Sequence, residues 1–138
     1  MKSLILNIIL VSLTINLPGQ NLLGYKKDKI EKYISSNYQH LVKEGNSRND
    51  YYNYLKYTDG AAGTTTVYFF LSENNRCTRV KSMHVHSMKD EVISELDDLY
   101  TREGDNIWSD KQRGIQALIK LENEEWFFTV TIEPQQKE

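Results

Sequence analysis

Hydrophobic residues recur along this chain with two different periods. Ile30, Tyr33, Ile34, Tyr38 and Leu41 fall at helical spacing, with Lys27, Asp28, Glu31 and Lys32 on the opposite side. That pattern predicts an amphipathic helix of about three turns. Past Gly45-Asn46-Ser47 the period changes to two. Tyr51 to Tyr57 reads as a strand, followed by a turn from Asp59-Gly60 to Gly63. In Thr64 to Leu71, Val67, Phe69 and Leu71 share one face and Thr66, Tyr68 and Phe70 the other. Ser72-Glu73-Asn74-Asn75 reverses the chain into a third strand, Arg76 to Val85.

The helical period then returns. Ser87 is placed as an N-cap, and Met88, Val92, Leu96 and Leu99 follow it. Asp90 and Glu91 fall in the first turn, where the helix dipole favours negative charge. Gly104 suits the stop. Three more strands are expected: Ile107 to Asp110, Ile115 to Glu122, and a last one with Trp126, Phe128, Val130 and Ile132 on its core face. The expected order is α-β-β-β-α-β-β-β. This is an α+β fold of two layers, with two amphipathic helices on one face of an antiparallel sheet. The other sheet face is left open.

The N-terminus has a separate character. Lys2 precedes an apolar run from Leu4 to Leu17, and Pro18-Gly19-Gln20 ends it. This is the layout of a secretory signal peptide, with cleavage expected after Gly19. The run is about 14 residues, against roughly 20 for a bilayer-spanning helix. Residues 1–19 are therefore expected to be removed, leaving 20–138 as one domain in the periplasm or outside the cell, without a membrane span.

Removing Lys2 leaves 16 Lys and Arg against 19 Asp and Glu, a net charge of −3. Such a mixed surface argues against a nucleic-acid partner. Cys77 is the single cysteine, so no internal disulfide can form and stability rests on the apolar core. It reads as a small strand residue, with nucleophile or intermolecular bridge as the alternatives. His84 and His86 would share a strand face, but two ligands do not make a metal site. Asp97-Asp98 and Glu124-Glu125 read as solvated surface, and Gly60-Ala61-Ala62-Gly63 lacks the signature of a phosphate loop. No catalytic, cofactor-binding or metal-binding residue is assigned.

The nine tyrosines are the remaining signal. Tyr51, Tyr52, Tyr54, Tyr57, Tyr68 and Phe70 lie on both strand faces, so some must decorate the open face. Exposed Tyr gives large contact area at small entropic cost and is common at recognition surfaces.

Gly24-Tyr25-Lys26-Lys27-Asp28-Lys29-Ile30 resembles the helix-starting segment of PepSY-like and β-lactamase-inhibitor-like exported modules and of small outer-membrane assembly lipoproteins. With Asn21-Leu22-Leu23 before it and Trp126-Phe127-Phe128-Thr129-Val130 near the end, the chain is also similar to short exported proteins of Bacteroidetes-type bacteria. The resemblance implies repeated α-β-β-β units and a bacterial envelope address. It carries no site residues, and the lipid-bearing Cys of the lipoproteins is absent.

The expected function is a non-enzymatic binding or inhibitor-like module. It would engage an envelope or secreted protein through its open sheet face, with Tyr52, Tyr54, Tyr68 and Phe70 as the surface. The alternative is a carbohydrate- or small-ligand-binding module using the same tyrosines. The reading without a partner is that loops or a dimer half-cover this face, and no cofactor is implied.

Overall fold

In a computed structural model, residues 22–45, 53–111 and 115–136 are described. The expected signal peptide, its cut after Gly19, and Tyr51 and Tyr52 lie outside them.

One antiparallel sheet dominates. The first helix, α1 (Lys27–Asn37), leads into β1 (Val42–Lys43), β2 (Asn53–Thr58), β3 (Thr65–Leu71) and β4 (Cys77–Val85). The second, α2 (Lys89–Leu99), leads into β5 (Thr101–Gly104), β6 (Ile107–Asp110), β7 (Ala117–Asn123) and β8 (Phe127–Pro134). The eight strands lie in the order β1-β2-β3-β4-β8-β7-β6-β5. Two meanders therefore meet at their last strands, with Val80 opposite Ile132 and His84 opposite Phe128.

The expected order and its two-helix layer are overturned. Each helix is followed by four strands, not three, and the helices are only 11 residues long. The added strands are the sheet edges. β1 is two exposed residues, and all four residues of β5 are exposed. Neither has an apolar face, so neither leaves a periodic trace. Short or charged edges of this kind also resist pairing with another chain.

The core lies against one sheet face. Leu55, Val67, Phe69, Val80, Val130, Ile132, Ile119 and Trp108 are buried there. Ile30 and Ile34 of α1 and Val92 and Leu96 of α2 join the same cluster. Leu22 and Leu23 are buried too, and the segment after them is tied to the start of β4. Gly24 N–H donates to the Cys77 carbonyl (2.8 Å), and Cys77 N–H to the Tyr25 carbonyl (2.9 Å).

Three local expectations are corrected. Ser87 lies inside a 3-10 turn (His86–Met88), and α2 begins at Lys89 with no side-chain cap. Gly104 closes β5 before the Asp105-Asn106 turn, whereas the helix stops at Leu99. Trp126 precedes β8 in the hairpin turn and is 79% exposed, so Phe128 starts the buried face of that strand.

Candidate functional site

Alternation along β2 and β3 builds the surface opposite the core. In β3, Thr65, Val67, Phe69 and Leu71 are buried, while Thr66, Tyr68 and Phe70 are half-buried. In β2, Leu55 and Tyr57 point inward and Tyr54, Lys56 and Thr58 outward. Register then sets the outward side chains in rows. Tyr54 stands opposite Phe70, and Phe70 opposite Arg79; Lys56 stands opposite Tyr68, and Tyr68 opposite Lys81.

The structure brings Tyr54, Tyr68 and Phe70 together. Tyr54 lies 5.7 Å from Tyr68 and 6.2 Å from Phe70, and Tyr68 and Phe70 stack at 6.1 Å, with an interplanar angle of 17°. Cations cap this cluster. The Arg79 guanidinium sits 4.4 Å above Phe70, and Lys56 Nζ lies 5.7 Å from Tyr68. These are cation–π distances. Lys56 also pairs with Glu44 at 2.8 Å, and that hydrogen bond is the main reason its ammonium is held above the ordinary lysine value. Tyr57, by contrast, is core: burial pushes its phenol up to about 12.

A groove of about 900 Å³ crosses the same outward face at one end of the sheet. Asn53, Phe70, Arg79, Glu133, Leu118 and Lys120 line it, so it runs from β2 across β3, β4 and β8 to β7. Lys120 faces Glu133 within the groove at 3.8 Å. Its walls are thus aromatic and basic on one side and mixed on the other.

The reactive candidates are kept apart. Cys77 opens β4 and His84 lies near its end, a separation of about 23 Å along an extended strand. Burial pushes the Cys77 thiol up to about 12, which removes thiolate at neutral pH. His84 is buried and stacked on Phe128 at 5.2 Å, and its Nε2 lies 2.9 Å from Ser82 Oγ. Burial pushes its imidazole down to about 4. His86 has left the strand, and its Nε2 lies 2.9 Å from the Glu124 carbonyl, to which it donates. The two histidines therefore do not present ligands on one strand face. Among the described residues, no cluster of three or more His, Cys, Asp or Glu is placed to hold a metal.

Some roles left no trace in the sequence. Asp97 accepts the indole N–H of the fully buried Trp108 at 2.8 Å, and Arg102 at 3.4 Å. Its neighbour Asp98 is exposed. Asp59 accepts from the Thr64 N–H at 3.0 Å and from the Thr64 hydroxyl, which shapes the β2–β3 connection. Arg79 was the missed member of the aromatic surface. The only signal for it was its place in the register opposite Phe70, which a sequence alone does not give.

No described helix is long and apolar enough to cross a membrane. No protein-family model, curated protein or solved structure matches this chain, and nothing among them identifies it as PepSY-like or β-lactamase-inhibitor-like.

Proposed function

We propose that this protein is an exported, non-enzymatic binding module. Its partner is an envelope or secreted protein, engaged through the outward sheet face. One observation carries the reading: Tyr54, Tyr68 and Phe70 form a half-buried ring cluster, capped by Lys56 and Arg79, on the face that the core does not use. Tyr and Arg are enriched among the side chains that anchor protein interfaces. Their strand scaffold fixes them before binding, so little ordering remains to oppose association.

The test is recovery of a partner from an envelope extract by the purified protein, repeated with Tyr68→Ala and Phe70→Ala. Both variants should lose the partner while staying folded. A partner retained by both variants, or none recovered by the parent, overturns the reading. Binding to an immobilised glycan, lost in the same variants, would replace the protein partner with a carbohydrate.

A further inference from the structure

We infer that the partner segment received by this face is acidic and extended, lying across the outward face from β2 to β7 with Arg79 and Lys81 as its charge contacts. The inference rests on the open-face reading above.

Charge is divided unequally along the chain. From Gln20 to Met88, ten Lys and Arg stand against six Asp and Glu; from Lys89 to Glu138, six stand against thirteen. The chain is net negative, yet the half that supplies the aromatic cluster is positive. On the outward face, Lys56 is matched by Glu44 and Lys120 by Glu133. Among the described residues, neither Arg79 nor Lys81 joins an ion pair. Arg79 lies over the Phe70 ring instead. Stacking orients the guanidinium while its edge keeps N–H donors in a fork that matches a carboxylate. Lys81 stands one row away, opposite Tyr68. Two unmatched cations beside paired aromatic rings fit Asp or Glu next to apolar side chains.

The groove sets the length. It spans five adjacent strands, or four spacings of about 4.8 Å each, roughly 19 Å. An extended chain covers that with about six residues. Phe70 and Leu118 supply apolar contact along it, and Lys120 stands at the far end.

The experiment selects random 12-residue displayed peptides on the purified protein. A synthetic consensus peptide and its Asp/Glu→Asn/Gln copy are then titrated against it. Enriched peptides should carry an excess of Asp and Glu. The neutral copy should bind about tenfold more weakly, as should the parent peptide in high salt. Arg79→Glu and Lys81→Glu should each cost a similar factor. Arg79→Gln should cost less and serves if the reversal perturbs folding. Peptides that enrich without acidic bias, or that ignore Arg79→Glu and Lys81→Glu, overturn the inference. If those peptides still need Tyr68 and Phe70, the open-face reading survives; if they ignore these too, both fall. No enrichment at all overturns the claim that a linear segment suffices.

Discussion

The two halves of the molecule run through the same sequence of elements and present opposite characters to solvent. Each half is an 11-residue helix followed by four strands. Each places its first strand at a sheet edge and its last in the middle. Their inward faces are similar: Leu55, Val67, Phe69 and Val80 on one side, Trp108, Ile119, Val130 and Ile132 on the other. Their outward faces diverge. The first half carries Tyr54, Lys56, Tyr68, Phe70, Arg79 and Lys81, and the second carries Leu118, Lys120, Glu122, Thr131 and Glu133. Packing constrains the inward face, since every side chain there must fill shared volume. The outward face carries less of that demand, although Ser109 and Thr129 are buried there, and on it the halves are chemically distinct.

The comparison is most severely tested by truncating one core residue in each half. Phe69→Ala and Trp108→Ala should each cost about 3–5 kcal/mol, since both side chains are fully buried. If the halves share one cooperative core, urea unfolding will still show a single transition in both variants. Two separated transitions would break the molecule into independent halves.

The seam between the halves makes a second prediction. His84 lies there, opposite Phe128. Burial holds its imidazole down to about 4 against an ordinary 6.5. Between those values the unfolded chain takes up a proton that the folded chain refuses. Stability is therefore complete above pH 6.5 and falls as the pH drops toward 4, by about 3 kcal/mol. Asp59 adds loss in the same direction at lower pH. Burial raises its carboxyl, but the Thr64 and Thr65 hydrogen bonds outweigh this and hold it below the usual range. Urea midpoints measured at pH 7 and pH 4 should converge in His84→Gln relative to the parent. An equal drop in both proteins would remove His84 as the cause.

The smallest effect separates two adjacent acids of the second half. Asp97→Ala leaves the buried Trp108 indole without its acceptor and should cost about 1–2 kcal/mol. Asp98→Ala should change stability by less than about 0.5 kcal/mol. Equal thermal shifts for the two variants would show that the indole contact contributes nothing.

Legibility in the sequence tracked burial. The strands with one buried face (β2, β3, β4, β7 and β8) showed in alternation because inward and outward positions differ in polarity. Val42–Lys43 and Thr101–Gly104 were invisible for the converse reason: they bury nothing, and backbone pairing with surface contacts such as Lys43 to Glu31 and Arg102 to Asp97 holds them in place. That omission changed the architecture, because two three-strand units became two four-strand units. Trp126 was misplaced because alternation continues back through it, although it still lies in the turn before β8. On the outward face, period two put Tyr68 and Phe70 together within one strand. Only the register added Tyr54 and Arg79 from the flanking strands. Asp97 escaped notice because nothing local distinguishes it from Asp98.

The strand made last among the eight ends up in the middle of the sheet. β8 lies between β4 and β7, and among the described residues no other strand joins the two halves. While the chain is being synthesised, β4 and β7 must wait with bare edges for its arrival. Shortening the protein from this end would split the sheet at its centre instead of trimming a border. The joining contacts span about 50 residues of chain, from Val80 to Ile132 at the longest. Such distant closure slows folding and lengthens the time for which unpaired strands are exposed to aggregation.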